Sequence, residues 1–307
     1  MNYSGRFNAF VFKGGSVLEA IETYKSIEGI THLEFNYPEH IQGIDLEELK
    51  AAIGPLKVNG LAVRWRKEWL EGDFTNPHPE LRERAITLAK EACDVCREIG
   101  GSVITLWFEN DGFEYSFQMD YEKSWQMLVE GIREVCDYAP DLKISVEYKP
   151  YEEREFAMVD STGMTLFLIN EVDRPNIGCT LDLCHMLMKH DMPAYGLALA
   201  ASRGKLYGLH MNDGYGYKDS GMIFGSVNFS VCAEFIYYLE RYGYDGVVYF
   251  DTFPIRENSI DECKANLRTF DLIKAKVDAI GKDKISEIVS KHDGISAQAL
   301  IYDLLKA

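Results

Sequence analysis

The chain of 307 residues alternates short apolar runs with longer stretches in which apolar residues recur at helical spacing. The short runs are rich in Val, Ile, Phe and Tyr, which is typical of strands that are buried on both faces of a parallel sheet. The pattern predicts eight strands, at residues 7–12, 31–37, 59–65, 102–107, 143–148, 177–182, 206–211 and 246–251. It predicts a helix after each strand, at residues 16–27, 45–56, 79–99, 120–139, 162–172, 194–203, 228–242 and 259–280.

Eight strand–helix units follow one another without a linker, which predicts a closed (β/α)₈ TIM barrel. An open doubly wound sheet would carry a glycine-rich phosphate loop after its first strand. The first predicted strand is instead followed by Gly-Gly-Ser, and neither G-x-G-x-x-G nor a P-loop motif occurs in the chain. We expect a catalytic barrel domain over residues 1–284 and a short C-terminal helical extension over residues 285–307.

The charge and composition restrict the partners. Acidic residues outnumber basic ones by 49 to 32, so a net charge of −17 disfavours nucleic acid and acidic membranes as partners. No apolar stretch approaches the roughly 20 residues needed to span a bilayer, and the N-terminus lacks the order of a secretory signal. Seven scattered cysteines indicate reduced thiols rather than a disulfide framework. These features predict a cytoplasmic protein.

Four polar residues lie at the C-terminal ends of consecutive predicted strands, the fifth to the eighth: Glu147, Asp182, His210 and Asp251. Taken singly, each has an ordinary structural explanation, such as a helix N-cap or a hydrogen-bonded core histidine. All the strands of a TIM barrel end at the same face, where active sites lie. The set therefore predicts a divalent metal site, for which Mn²⁺ fits best and Co²⁺, Mg²⁺ or Zn²⁺ are alternatives.

On these residues the chain resembles the xylose isomerase-like TIM barrels, which include xylose isomerase, L-rhamnose isomerase and the ketose 3-epimerases. The resemblance implies that Glu147, Asp182, His210 and Asp251 hold one metal ion. The E-x-K pattern at Glu147 is similar to that of the aldose–ketose isomerases, which implies that Lys149 contacts a substrate oxygen. Trp107, at the end of the fourth predicted strand, resembles the tryptophan that walls the sugar site in those enzymes.

The isomerases hold a second metal with a histidine after strand six and two acids after strand seven. His185 and Asp219 match the first two of these ligands, whereas Gly221 stands where the second acid would be. The third strand lacks the histidine that the isomerases use to bind the open sugar. Arg64 or the neighbouring Arg66 is the alternative for binding a substrate hydroxyl or carboxylate, and a solvated basic cluster is the other explanation.

Two chemistries remain open for such a site. A hydride shift needs Lewis-acid metals and a cationic lysine, whereas proton transfer through an enediolate needs two carboxylates with tuned pKa values. Lys149 favours the first, and Glu153, which resembles a sugar-contacting position of the epimerases, favours the second. We expect a catalytic set and a substrate-binding set of residues: Glu147, Lys149, His185 and Asp251 for the first, and Trp107, Glu153, Arg64 and Asp219 for the second.

We therefore expect a metal-dependent aldose–ketose isomerase that acts on a small sugar. A single-metal ketose 3-epimerase, a sugar or inosose dehydratase, a C-glycoside-cleaving lyase and a non-catalytic sugar-binding barrel are the alternatives. The charge and only seven histidines oppose an abasic-site endonuclease of the same superfamily, which would need about three zinc ions and a basic rim for DNA. The resemblance also implies a homo-oligomer, a dimer or tetramer.

Overall fold

The computed structural model describes residues 1–306, in which a curved parallel sheet is surrounded by helices. The strands in chain order are β1 (Asn2–Gly5), β2 (His32–Tyr37), β3 (Lys57–Val63), β4 (Val103–Trp107), β5 (Gly112–Phe113), β6 (Lys143–Glu147), β7 (Phe156–Ala157), β8 (Ile177–Asp182), β9 (Leu206–Met211) and β10 (Val247–Phe250). Strands β5 and β7 form a small antiparallel pair, and the other eight form the barrel.

The helices surround the barrel and extend the chain beyond it. They are α1 (Asn8–Val11), α2 (Val17–Lys25), α3 (Leu46–Ile53), α4 (Pro79–Glu98), α5 (Tyr121–Tyr138), α6 (Thr162–Val172), α7 (Leu183–Met188), α8 (Pro193–Ala201), α9 (Phe229–Arg241), α10 (Ser259–Ile280), α11 (Lys282–Ser290) and α12 (Gly294–Lys306). Local signals explain several starts: Ser16 and Glu19 form a capping box before α2, and the Asp120 side chain caps α5.

The barrel closes between its first and last strands. Strand β1 pairs in parallel with β10, and a bridge from Tyr3 to Ile30 joins β1 to the segment that leads into β2. The predicted (β/α)₈ barrel is thus confirmed. Since all eight strands run in the same direction, their C-terminal ends meet at one mouth, to which the following loops contribute side chains.

The position of the first strand was predicted wrongly. Residues 7–12 contain the helical turn α1, and the barrel strand is the less apolar segment Asn2–Gly5. Phe7, Phe10 and Val11 are spaced i, i+3 and i+4, which suits a helical turn as well as a strand. Phe7 is fully buried and stacks on Phe35 with ring centroids 4.7 Å apart, whereas Phe12 is exposed. Because β1 ends at Gly5, residues 6–7 and α1 follow the strand and lie at the barrel mouth.

The C-terminal helices pack on the outside of the barrel. Helices α11 and α12 contact α10 and each other, and Ile285 and Leu304 are buried there. The division into a barrel domain over residues 1–284 and an extension over residues 285–307 stays a prediction. Within residues 1–306, no helix is both long enough and apolar enough to cross a membrane.

Candidate active site

The four predicted metal-binding residues converge at the barrel mouth. Glu147 ends β6, Asp182 ends β8 and caps α7, His210 lies in β9, and Asp251 directly follows β10. The side chains of Glu147, Asp182 and His210 are buried. One donor atom each from Asp182, His210 and Asp251 lie within 4.8 Å of one another, and so do donors from Glu147, Asp182 and His185. The structure therefore brings the predicted quartet together and adds His185 to it.

The orientation of His210 fits a metal ligand. Its Nε2 lies 2.9 Å from Glu34 Oε1, so the carboxylate accepts the ring proton and leaves the lone pair on Nδ1. Nδ1 faces Glu147 Oε2 at 3.2 Å but is buried without a hydrogen-bond partner. A carboxylate that fixes the tautomer of a ligating histidine is the usual arrangement behind a metal site.

His185 presents a second buried nitrogen of this kind. Its Nε2 lies 3.3 Å from Asp219 Oδ2, while Nδ1 lies 3.5 Å from Glu147 Oε1 and has no hydrogen-bond partner. Burial opposes the imidazolium, but the surrounding carboxylates outweigh it and raise the pKa of His185 to about 9. Both imidazoles therefore face Glu147 across a gap that a cation would fill.

The acids of the quartet are electrostatically frustrated without a cation. Burial raises the pKa of Asp182 to about 7, and the charges of Asp219 and Glu147 add to this effect while His185 opposes it. Burial also raises the pKa of Asp251, although Arg6 opposes it. Buried carboxylates are stable when paired or bound to metal. The donor set, three carboxylates and one or two imidazoles, thus fits a divalent ion.

Lys149 and Asp219 form a second charged group beside the quartet. Lys149 Nζ lies 2.8 Å from Glu152 Oε2 and 3.4 Å from Asp219 Oδ2. Burial opposes the ammonium charge, but Asp219 and Glu152 outweigh it and raise the pKa of Lys149. The same contacts with His185 and Lys149 hold the pKa of Asp219 well below its usual range. Lys149 is therefore a largely buried ammonium next to Asp219, with its charged form favoured.

Gly221 has no room for the second acid of the isomerase pattern. Its φ is +50°, and a Cβ atom there would lie 2.4 Å from the ring of Phe253. Its carbonyl oxygen accepts a hydrogen bond from Phe253 N at 2.7 Å, which keeps the two segments in contact. The place of the missing carboxylate is thus filled by an aromatic ring, and an acidic substitution there would clash with it.

Arg64 and Trp107 lie on the other side of the mouth. The Arg64 guanidinium stacks at 4.0 Å over the Trp107 ring, and Lys149 Nζ lies 5.4 Å from the same ring. Arg64 Nη2 also contacts Glu109 Oε2 at 3.1 Å. Arg64 is therefore a largely buried member of an ion-pair network rather than part of a solvated cluster.

Arg66 and Arg6 complete the basic lining. Arg66 contacts Glu109 Oε2 at 2.8 Å and Glu39 Oε1 at 2.5 Å. Arg6 Nε lies 2.7 Å from Asp251 Oδ1, and its guanidinium stacks at 4.2 Å over Phe253. Every basic side chain that lines the cavity is thus paired with a carboxylate.

These side chains surround one cavity of about 280 Å³ at the mouth. All the predicted substrate-binding residues line it, as do the predicted catalytic residues Glu147, Lys149, His185 and Asp251. Asp182 lies beneath the cavity, where Asn212 Nδ2 donates to both of its carboxylate oxygens at 3.0 and 3.2 Å. Glu152 and Glu153 both line the cavity, but of the two only Glu152 contacts Lys149.

Several functional residues were missed from the sequence. Glu34 stands in the middle of the apolar strand HLEFNY, and a lone acid in such a run is a detectable signal of a buried partner. Glu109 and Asn212 follow β4 and β9 at the same face and could have been found by that position. Arg6 was missed because the first strand had been placed over residues 7–12.

A family model described as the xylose isomerase-like TIM barrel matches residues 21–273. The chain belongs to this family. Among curated proteins, the xylose isomerase of Thermus thermophilus is 26% identical over 233 residues, which are 72% of this chain and 60% of that protein. That of Thermus caldophilus is 25% identical, with the same coverage of 72% and 60%. This xylose isomerase-like barrel therefore spans less than two-thirds of the length of those relatives.

Solved structures show the same fold at low sequence identity. An L-ribulose 3-epimerase superimposes with a TM-score of 0.71 at 16% identity, covering 95% of this chain and 99% of that chain. D-psicose 3-epimerase from Clostridium cellulolyticum H10, solved with D-tagatose, gives 0.72 at 18% identity, covering 89% and 99%. The IolI protein, solved with a bound zinc atom, gives 0.70 at 17% identity, covering 90% and 98%. At these identities the likeness shows the fold alone.

Proposed function

We propose that this xylose isomerase-like barrel is a divalent-metal-dependent aldose–ketose isomerase that acts on a free sugar. The observation that carries the proposal is Lys149, a largely buried ammonium that lines the same cavity as Glu147, His210 and Asp251 and lies 5.4 Å from the Trp107 ring. A hydride shift from C2 to C1 of an open aldose leaves negative charge on the oxygen at C1. A fixed ammonium beside that oxygen stabilises the charge without reorganising during the reaction.

Glu147, Asp182, His210 and Asp251 would hold the ion. When bound, a divalent ion supplies Lewis-acid polarisation of the substrate oxygens. Lys149 donates a hydrogen bond to the oxygen at C1, and Trp107 walls the site against water. His185, held by Asp219 at Nε2, takes the proton of the hydroxyl at C2 and returns it to the oxygen at C1 after the hydride has moved, so the isomerisation releases no net proton.

Proton transfer by a pair of opposed carboxylates is less well supported. Such a mechanism would need Asp251, from the eighth barrel strand, as the partner of Glu147. Asp251 is instead engaged by Arg6 at 2.7 Å and is one methylene shorter than glutamate. The specific observation that favours a 3-epimerase is that Glu153 lines the cavity, so this reaction is the second candidate.

A single ion per chain is the stoichiometry we propose. Lys149 places a positive charge at Asp219, where the isomerase pattern would put a second ion, and Phe253 fills the position of the second acid. The pairing of Arg6, Arg64, Arg66 and Lys149 with carboxylates leaves no spare cation for a phosphate group. We therefore assign a free rather than a phosphorylated sugar as substrate.

The test measures metal content by mass spectrometry and the conversion of an aldose panel, with the ion removed and then restored. We expect about one ion per chain and a conversion that depends on it. Lys149→Met should keep the ion and lower the rate of isomerisation by about 100-fold or more. Lys264→Met, an exposed substitution on α10, is the matched control.

Three outcomes would contradict the proposal. Full isomerisation by Lys149→Met would remove the role of the lysine. One bound ion with conversion between ketoses only would favour the 3-epimerase. One bound ion with no conversion of any free sugar would favour the dehydratase or lyase alternative.

A further inference from the structure

Asn8 presents an unused hydrogen-bond donor to the cavity. It begins α1 directly after the first barrel strand, is 3% exposed and lines the cavity at the barrel mouth. Its Nδ2 is buried and has no acceptor among the described residues. A buried amide without a partner costs free energy, so such a group in a binding cavity indicates a ligand acceptor.

The direction in which Asn8 points is fixed by His40. The backbone N–H of Asn36 donates to His40 Nδ1 at 2.9 Å, which leaves the ring proton on Nε2. His40 Nε2 then donates to Asn8 Oδ1 at 2.7 Å. Burial lowers the pKa of His40 to about 4, so the ring is neutral at physiological pH. The oxygen of Asn8 is thus committed to His40, and only the NH₂ group remains for a ligand.

Of the proposed metal ligands, Asn8 lies across the barrel from Glu147 and on the same side as Asp251, because β1 pairs with β10 and Arg6 contacts Asp251 at 2.7 Å. Those ligands come from the fifth to eighth barrel strands, whereas Asn8 follows the first strand and Arg64 follows the third. Arg64 Nε is also buried without an acceptor. Asn8 therefore offers its donor to a part of the ligand that lies away from Glu147.

The charges on this side are balanced. Arg64 and Arg66 are paired with Glu109, and Arg66 is paired with Glu39 as well. An anionic ligand group would have to displace one of these carboxylates from its arginine, whereas a neutral oxygen can accept from Asn8 directly. The balance favours a hydroxyl or carbonyl oxygen over a carboxylate or phosphate.

We propose that Asn8 binds the substrate, donating from Nδ2 to an uncharged oxygen at the end of the sugar remote from Glu147, with His40 as its positioning residue. This inference rests on the proposed function as far as the ligand is a sugar. It adds a specificity-determining residue that selects for chain length and for a hydroxyl at the distal end.

The test compares wild type with Asn8→Asp, which keeps the acceptor for His40 but replaces the donor with a carboxylate oxygen. With Mn²⁺-loaded protein and the sugar that the wild type converts fastest, KM should rise by about 10-fold or more and kcat should change by less than about 3-fold. Metal content should not change. Asn170→Asp, on an exposed position of α6, is the matched control for the change in charge.

A shortened substrate distinguishes a direct contact between Asn8 and the sugar from a purely structural role of Asn8. A sugar one or two carbons shorter lacks the distal oxygen, so wild type and Asn8→Asp should convert it with the same KM. If wild type and Asn8→Asp have equal KM values for the long sugar, or if the substitution raises KM equally for the long and the short sugar, the inference is overturned. A terminal phosphate ester bound more tightly than the free sugar would overturn the choice of an uncharged oxygen.

A binding measurement separates this inference from the proposed function. If no sugar is converted, titration of Mn²⁺-loaded protein with xylitol still tests the role of Asn8 in binding. Weaker binding of xylitol by Asn8→Asp than by wild type would then support the inference even though the proposed isomerisation had failed. Equal binding by wild type and variant, or no binding by the wild type, would overturn it. If Asn8→Asp does not fold, Asn8→Ser takes its place under the same criteria.

Discussion

The two halves of the barrel mouth are built on different electrostatic principles. On the side of the fifth to eighth strands, buried carboxylates crowd together, and burial raises the pKa values of Asp182 and Asp251. On the side of the first to third strands, Arg64 and Arg66 are matched by Glu39 and Glu109. Buried carboxylates that lie close together favour the binding of a cation. A charge-balanced network with unpaired hydrogen-bond donors favours instead the oxygens of a neutral ligand.

This contrast separates reactivity from recognition. In the proposed function, an ion would bind among carboxylates whose pKa values burial raises and would act at the reacting carbons. Charge that is already compensated leaves the substrate only hydrogen bonds, which discriminate by position rather than by strength. Single substitutions can change one half of the mouth and leave the other half unaltered.

Glu147→Gln should have the largest effect. Glu147 faces His185 and His210 at 3.5 and 3.2 Å, and its loss removes a charged ligand that lies between both imidazoles. We expect metal affinity and turnover each to fall by more than about 100-fold. Metal content by mass spectrometry and the rate of sugar conversion are the measurements. A variant that retains a full complement of metal would show that Glu147 is not a ligand.

Glu34→Gln should have the next largest effect, although Glu34 is not a predicted ligand. Its carboxylate accepts from His210 Nε2 at 2.9 Å and so keeps the lone pair on Nδ1. Replacing the charge with an amide should weaken metal binding by about 10- to 100-fold. Competition with a metal chelator measures the affinity. An unchanged affinity would mean that His210 is held by its neighbours without Glu34.

Glu109→Gln should disturb only the recognition half. It removes the shared partner of Arg64 and Arg66, so the local charge becomes positive. We expect KM for a free sugar to rise by about 3- to 10-fold, with metal content unchanged. The KM for a terminal phosphate ester of the same sugar should fall relative to that of the free sugar, because the local charge is then positive. Glu130→Gln, which is exposed, is the control. A loss of metal in Glu109→Gln would show that the halves are not independent.

His40 should make the free energy of unfolding depend on pH below about 6.5. Its folded pKa of about 4 lies below the ordinary value of 6.5, so the unfolded chain binds the proton more readily. Unfolding free energy should therefore fall as the pH drops from 6.5 towards 4, by up to about 3 kcal/mol from this residue. Denaturant unfolding of wild type and His40→Gln measures it. The difference in unfolding free energy between wild type and His40→Gln should narrow as the pH falls from 6.5 towards 4. If the two proteins lose stability in parallel over that range, His40 is not buried as a neutral ring.

The sequence predicted the barrel well because hydrophobic periodicity reports burial locally. Seven of the eight barrel strands overlap their predicted positions. The first strand failed because Asn2–Gly5 is too short and too polar to show the pattern, and the adjacent Phe-rich segment showed it instead. A strand that pairs on both sides within a closed barrel can be stabilised by its neighbours rather than by its own composition.

The convergence of the four predicted metal ligands was predictable for a related reason. Glu147, Asp182 and His210 lie within or at the ends of their strands, and Asp251 directly follows its strand. Parallel strands in a barrel share one C-terminal face, so strand order alone places these side chains together. Which of Glu152 and Glu153 pairs with Lys149 could not be found in this way, because both lie in the same loop and only its conformation decides which carboxylate reaches the ammonium.

By itself, the sequence determined the fold class, the order of the elements and the face at which the acids and imidazoles gather, since all three follow from local patterns repeated along the chain. Only the tertiary structure decided which groups are paired. His210 meets Glu34 across 176 residues, and Asn8 meets His40 across 32. The closed barrel brings such distant segments to within hydrogen-bonding distance, and the orientation of each imidazole and amide depends on that distance rather than on any local signal.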